Sequence, residues 1–585
     1  MSNPANIFSP PRFLSPRTTI RKFAANTGFP PWFVSPRTII GKYSAKTNFV
    51  FFACILCCYM QTFAQNETIP GEITTPYPTI INLAVEWKIR GDDNQNGMVS
   101  IRFREKGKKS WQEGMPLRRI PADNNETLTP LLDSVPGYPD FKWANKHSGS
   151  IFDLKPNTTY EINLRLEDPD GGSAQQTVET RTRSVPRVTS TARIIELRPG
   201  NHDTLHTISG SPESPVVYHC SKGKATYKFI DLQNKKWVYI EGLTVKNPVH
   251  NGFGIRLDGS ANCMISRCVI RASYGIVAYL PGATNCYISD NVVTGDSFWS
   301  VGTLYDDPGR EGEGIQMTGP GNVICYNKVT GFRDAISLME DQHVANQTCV
   351  DIYNNDINTT TDDGIEADFC FSNCRVLRNR ITNCFVGVSS QPCLGGPNYF
   401  IRNVMYNVIH VALKLQRFSQ GDVVLHNTIV KLGAGLSVKS PMDYAYFRNN
   451  LAIGGPAGKV NWGGWGAGKP YASDFKAPGP HSNFDYDAVG VSGTPYIANI
   501  GDRSFAEVEP HGIERITMEE TFPGIKFPYS PFPKYAIPDL RPKARSRVED
   551  AALLIPNIND HFKGKAPDCG AYEIGQQPPH YGPRP

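Results

Sequence analysis

Between Val238 and Leu451 one short pattern returns at nearly constant spacing, and it leaves the chain few folds to choose from. The pattern is an apolar residue, two variable residues, Asn, one variable residue and a second apolar residue. It is read around Asn291 (Ile288-Ser-Asp-Asn-Val-Val293), Asn327, Asn355, Asn379, Asn403, Asn427 and Asn449, with Leu243 and Cys268 in the Asn place of the two earliest copies. From Leu243 onward the steps are 25, 23, 36, 28, 24, 24, 24 and 22 residues. A period near 24 is one supersecondary unit of a solenoid, because a single unit cannot bury its apolar face and copies must stack.

The local period selects the kind of solenoid. Each copy is a short β-branched run with alternation of period two, not a stripe at i, i+3, i+4. A second strand lies between copies, as in Gly254-Ile-Arg-Leu-Asp258, Gly314-Ile-Gln-Met-Thr318, Gly364-Ile-Glu-Ala-Asp368 and Ala412-Leu-Lys-Leu-Gln416. Two or three strands per 24 residues with no helix between them predict an all-β chain built on a parallel β-helix. A leucine-rich repeat would need Leu at most framework positions, where this chain has Ile and Val around Asn. An Asn at one bend of each coil can bond its neighbours in the adjacent coils, and it tolerates the left-handed conformation.

The Asn coils, the Gly-Ile strands and the terminal Gly564-Lys-Ala-Pro-Asp-Cys-Gly-Ala-Tyr-Glu573 resemble secreted right-handed parallel β-helix proteins of the pectin-lyase-like superfamily, over roughly residues 190–575. That resemblance implies the fold and leaves the reaction open, since the superfamily mixes lyases, hydrolases, epimerases and non-catalytic adhesins.

Residues at one repeat position stack at about 4.8 Å in such a fold, so columns can be read from the alignment. Counting from the Gly or Ala of the second strand, the +1 and +3 residues are apolar and face inward, and +2 and +4 face outward. Glu313, Asp334 and Asp363 precede that strand on three consecutive coils, and Glu366 and Asp368 follow on the last of them. Stacked acids repel, so either a cation neutralises them or one keeps its proton. Glu366 and Asp368, with Cβ atoms about 7 Å apart, approach the carboxylate spacing of an inverting glycosidase. Asp334, Asp363, Glu366, Asp368, Lys414 and Arg417 are therefore the catalytic candidates. Glu313, Glu366 and Asp368 form a candidate Ca2+ set, and no organic cofactor is expected. Asp362 reads as a turn former before Gly364. The one expanded repeat carries Ser297–Glu311, where Trp299 and Tyr305 suit a sugar ring and Arg310 an anionic substituent; Gln391 and Gln416 complete the substrate-binding candidates.

The superfamily's better-defined enzymes differ from this pattern. Polygalacturonase-type hydrolases carry Asn-Thr-Asp, Asp-Asp, Gly-His-Gly and Arg-Ile-Lys on successive coils. Asp362-Asp363 resembles the second, whereas Val386-Gly-Val-Ser389 replaces the His coil and Leu413-Lys-Leu-Gln-Arg417 lacks the basic triplet. Chondroitinase- and alginate-lyase-type members pair a calcium site with a Lys and an Arg; here Phe371 stands about where their Lys would be. The expected function is a polysaccharide-cleaving enzyme, hydrolase or lyase, acting as a monomer; a non-catalytic carbohydrate-binding or surface-adhesion protein is the alternative.

The remaining segments frame this core. Residues 1–64 hold seven of the 60 basic residues and no acid, so the rest of the chain carries 53 against 55 and the excess positive charge belongs to the leader. Nucleic acid is thereby not an expected partner. Lys42 and Lys46 precede an apolar run at 49–60 and then Thr62-Phe-Ala64, which reads as a signal peptide, too short to span a membrane, with export to the periplasm, cell surface or medium. Residues 1–41 carry a 20-residue duplication and no expected fold. Residues 75–185 alternate as a β-sandwich; Leu154-Lys-Pro-Asn-Thr-Thr-Tyr160 matches a tyrosine corner and, with Trp87, resembles a fibronectin type III domain. Residues 190–235 are expected to form the cap and the first, irregular coils, 236–454 the repeats, and 455–585 late coils and long loops. Cys263, Cys286 and Cys374 share one repeat position, which reads as a column of buried thiols.

Overall fold

The computed structural model describes residues 65–124, 142–305, 311–338, 347–456 and 471–585. The leader, with its signal-peptide and duplication readings, lies outside them, as does Arg310.

Two antiparallel four-stranded sheets come first. One joins Ile69–Thr74, Leu83–Arg90, Lys146–Ile151 and Arg118–Ile120; the other joins Ala174–Arg181, Thr159–Glu167, Met98–Glu105 and Gln112–Glu113. Their alternating strands close a core of Trp87, Val99, Ile101, Phe103, Ile162 and Leu164. The Tyr160 hydroxyl accepts from the Lys155 N–H at 2.9 Å, tying the turn to the strand as a tyrosine corner does.

From Arg193 the chain winds as a parallel β-solenoid with three strands per coil. The first face runs from Arg193–Glu196 to Asn483–Asp485, twelve strands stacked in sequence order. The second face holds the strands after each Asn bend, such as Val292–Thr294 and Val404–Val408. The third holds the Gly-Ile strands, such as Glu313–Met317 and Asp334–Ser337. All neighbouring coils pair in parallel, in the registers Ile276↔Ile315, Ile336↔Ile365 and Val388↔Leu413. The +1 and +3 residues named by these registers, Ile276, Ile315, Ile336, Ile365, Val388, Met317, Leu338 and Ala367, all sit in one continuous interior cluster.

The Asn column forms a ladder. The backbone N–H and the Nδ2 of Asn355 both donate to Oδ1 of Asn379, at 3.1 and 2.9 Å, and Asn379 repeats this toward Asn403 at 3.0 Å each. Each Nδ2 also donates back to a carbonyl of the previous coil, so every polar atom of the rung is used. Two details differ from the sequence reading. The last rung is Asn450, not Asn449: Asn427 donates to Asn450 Oδ1. The left-handed residue is the one before each rung, at Asp290, Tyr326, Asn354, Arg378, Arg402, His426 and Asn449, with φ between 52 and 62°. The rung itself stays extended because its backbone N–H must point along the stack. The thiols of Cys263, Cys286 and Cys374 are free and buried, as a column of small apolar residues would be.

Asp487 extends the ladder one coil further. It accepts from the backbone N–H and Nδ2 of Asn450 at 2.7 and 2.9 Å, and its own N–H donates to Glu509 Oε2 at 3.0 Å. An ionised Asp has no side-chain donor to give the next rung, and burial raises its pKa from 3.8 to about 7. The proton is thus bound more tightly in the folded state. The stability this contributes is complete below about pH 4 and is lost as the pH rises through 7. Asp487→Asn is expected to add about 1–3 kcal/mol at pH 8 and to flatten that decline, read from denaturant midpoints between pH 4 and 8.

The sandwich is packed onto the first face. Arg375 and Asp351, both with fully buried side chains, pair at 2.6 Å; Asn82 Nδ2 donates to Asp351 at 2.8 Å, and the Ser150 N–H donates to the Tyr399 hydroxyl at 3.0 Å. Phe152 meets the Tyr399 ring edge-on at 5.0 Å. At the far end, residues 522–585 return along the second face. Phe522, Phe527, Leu540, Val548 and Tyr572 cover Val404, Tyr406, Val430 and Ile453, and Arg584 reaches Asp290 at 2.6 Å.

Candidate functional site

The acids predicted on successive coils meet on the third face. The column just before the Gly or Ala of each strand reads Phe253, Tyr274, Glu313, Asp334, Asp363 and Val386, held in parallel register. Asp362 joins it because the chain between Thr360 and Asp363 departs from regular pairing. One carboxylate oxygen from each of Asp334, Asp362 and Asp363 lies within 4.8 Å of the other two. All three residues are buried, at 3, 5 and 0% exposure.

Two cations answer them. Lys414 Nζ donates to Asp363 Oδ2 at 2.8 Å, and Arg333 lies 3.8 Å from Asp334 and 3.6 Å from Asp362. Burial alone would lower the Lys414 pKa, but Asp363, with Asp362, Asp368 and Glu366 behind it, raises it, so the ammonium is kept. Burial and then Asp362 raise Asp334 to about 6, against the pull of Arg333 and of the Asp363 N–H that donates to it at 2.7 Å. Burial and Asp334 push Glu313 up as well, and Ser337 donates to it at 2.7 Å. The second oxygens of Asp362 and Asp363 have no hydrogen-bond partner among the described residues. Asp363 itself is pushed well above the ordinary carboxylate range, by burial first, against the pull of Lys414 and with the push of Asp362 and Asp334. The site thus crowds several acids that burial drives toward their protonated forms around one buried ammonium.

The other candidates fall in different surroundings. Asp368 is fully buried; it accepts from the Ser389 hydroxyl and from the Gln391 N–H at 3.0 Å. Glu366, the last residue of the strand Asp356–Glu366, is half-buried, and Asp368 lies in the turn after it. Among the described residues, the carboxylates that lie close enough together to share a cation are Asp334, Asp362 and Asp363, not the expected set of Glu313, Glu366 and Asp368. Outward-facing columns proved mostly covered: Gln316, Ser389, Gln391 and Lys414 are all buried. Gln416 is half-buried, and Arg417 lies over the Phe369 ring at 5.6 Å.

Trp299 does not offer an open ring to a sugar. It is 9% exposed, its Nε1 donates to the Pro531 carbonyl at 2.8 Å, and its ring packs 5.4 Å from Phe532. Tyr305 is half-buried beside Phe385, with its N–H on the Thr361 carbonyl. The expanded repeat therefore anchors the returning C-terminal segment next to the acidic coils. Asp362 and Arg333 were not chosen from the sequence; both stand immediately before an acid of the column, Asp363 and Asp334, and that shared position was the signal that could have found them.

The sandwich also reaches this margin. Trp143 and Ile120 pack on Phe369, Leu394 and Phe371, immediately after Asp368. Gly395, at φ +87°, makes room for the Trp143 ring, which would lie 2.6 Å from an added Cβ. Two cavities, of about 340 and 400 Å³, lie elsewhere, on the first face beside the linker 184–188.

A family described as "Right handed beta helix region" matches residues 229–452. The fold is a right-handed parallel β-helix. Among solved structures this chain is similar to the family 28 exopolygalacturonase of Yersinia enterocolitica, at 11% identity, over 77% of this chain and 99% of that one, with a TM-score of 0.33. At that score the likeness carries no argument about reaction. No curated protein matches the sequence. Among the described residues of this β-helix, no helix is long and apolar enough to cross a membrane.

Proposed function

We propose that the protein cleaves a polysaccharide at the acidic coils of the third face, as a glycoside hydrolase. One observation carries this reading: Asp334, Asp362 and Asp363 bring carboxylate oxygens within 4.8 Å under burial. Three such acids cannot all ionise. Asp334, at about 6, is suited to protonate a glycosidic oxygen, and Asp363, which burial pushes up and Lys414 pulls down, is the partner carboxyl that Lys414 stabilises when it ionises. Their spacing is shorter than the ~6.5–9.5 Å that admits a water and nearer the ~5–5.5 Å of a retaining pair, which supports Asp363 as nucleophile. Half-buried Glu366 and Arg333 are the cluster's members toward solvent.

A lyase is less well supported. Lys414, its candidate base, would have to be neutral, and it is held cationic by Asp363. The same three acids are oxygen donors of the kind Ca2+ takes, and a calcium requirement would favour the lyase. The test is a polysaccharide panel with the full chain, read for new reducing ends and for unsaturated uronides, with and without a chelator. Reducing ends without unsaturation support the hydrolase; unsaturation that depends on calcium overturns it. Burial of all three acids favours a second reading, binding without cleavage, and retention of an uncleaved polysaccharide would establish that.

The sandwich fits a fibronectin type III module on its tyrosine corner and buried Trp87, and the leader fits export. N-terminal sequencing of the protein from its native host is expected to begin near Gln65; an intact Met1 would overturn that.

A further inference from the structure

The column that supplies Glu313, Asp334 and Asp363 does not end at the acids. Its two preceding members are Phe253 and Tyr274, in the same register on the two coils before Glu313. Their rings lie 5.0 Å apart and 31° from parallel, and Tyr279 meets Phe253 edge-on at 5.8 Å. The Arg256 guanidinium lies 4.9 Å from the Phe253 ring centre and 5.6 Å from that of Tyr279. All three rings are half-buried, so each keeps part of its surface at the solvent boundary, while the acids beside them are covered.

Among the described residues, the solenoid's interior cluster does not include this group. The interior of these coils is closed by Ile255, Leu257, Ile276 and Ala278, on the opposite side of the strands. The Arg256 charge is already met by Asp258, to which its Nη2 donates, and Asp258 also accepts from the Tyr279 N–H at 2.8 Å. What remains is an aromatic shelf whose ionic charges are balanced. Coils rise by about 4.8 Å each, so Phe253 stands about 14 Å along the face from Asp334, three coils away.

We infer that Phe253, Tyr274 and Tyr279 form a binding subsite for an uncharged pyranose unit of the polysaccharide whose bond is broken at Asp334 and Asp363. The inference rests on the hydrolase reading and adds the direction in which the chain lies: along the solenoid axis, with its bound end toward the N-terminal coils. Apolar C–H faces of a sugar pack on aromatic rings, which give large contact area at low entropic cost. The balanced Arg256–Asp258 pair leaves hydrogen bonding to ring hydroxyls and no net charge to select a carboxylate at this position.

The test measures binding and cleavage separately on the full chain. A panel of neutral and uronate-containing polysaccharides is embedded in native gels, and mobility is compared for the unaltered protein, Asp334→Asn, and the shelf variants Phe253→Leu and Tyr274→Leu. Leucine keeps the bulk and removes the ring, and unchanged thermal unfolding establishes that the variants fold. The expected result is retardation by at least one polysaccharide that survives in Asp334→Asn and weakens about tenfold in each shelf variant, with KM raised about tenfold and kcat little changed. Cleavage with unaltered KM and retardation in both shelf variants overturns the subsite and leaves the hydrolase standing. Neither retardation nor cleavage by the unaltered protein on any polysaccharide overturns both.

Discussion

Asp334→Asn is expected to lower polysaccharide cleavage by about 10²–10⁴-fold, the usual contribution of a positioned proton donor, with binding retained. The unaltered enzyme should lose rate as the pH rises through about 6, because the donor must carry its proton and Asp334 is raised to about that value by burial and Asp362. Stability runs with the same sign. The folded state holds a proton that an unfolded Asp gives up near 3.8, so this contribution is complete below about pH 4 and is lost as the pH rises through 6. The Asn variant should therefore be inactive yet less sensitive to pH in its unfolding, a pairing that a purely structural acid would not give. An Asp334→Asn protein that cleaves at full rate removes this group from the mechanism. Asp363→Asn should fail by a different route: it strands Lys414, which is buried and has Asp363 as its 2.8 Å partner, and so should cost stability as well as rate.

Asn379→Ala is expected to cost about 3–9 kcal/mol, from three buried polar groups losing a partner at about 1–3 kcal/mol each. The backbone N–H of Asn355 and one hydrogen of its Nδ2 would lose their acceptor, and the Ile352 carbonyl would lose its donor. Asn355, Asn379 and Asn403 are fully buried, so the freed groups do not reach bulk water. The measurement is the denaturant midpoint of the full chain against the unaltered protein. A change below about 1 kcal/mol, the net value of one ordinary hydrogen bond, would show that the ladder follows the solenoid and does not hold it.

The repeat carried its own answer in the sequence because its determinants are local and are written many times. Period-two apolar runs set strands, the 24-residue step set the coil, and the Asn column set the bend. Inward and outward columns followed from counting, and they place Ile315, Ile336 and Ile365 in the interior where they are found. The same counting brought Glu313, Asp334 and Asp363 together, since stacking in register needs only the repeat. It slipped at Asn449 because two adjacent Asn residues fit the pattern, and only the hydrogen bonds of Asn427 choose between them.

What the sequence could not determine was everything that one part of the chain does to another at long separation. Whether an outward side chain meets water depends on what lies over it, and no periodicity encodes that. Trp299 became an anchor because Pro531 and Phe532, more than 230 residues later, lie against it. Asp362 became part of the acidic cluster because the strand departs from regular pairing between Thr360 and Asp363, and Arg333 reached it from the preceding coil. Lys414 enters the catalytic candidates on its residue type and column; its 2.8 Å bond to Asp363, 51 residues earlier, holds it as a cation. The repeat fixes which residues share a column. Packing between distant segments decides which of those residues are covered, which are paired, and which protons they keep.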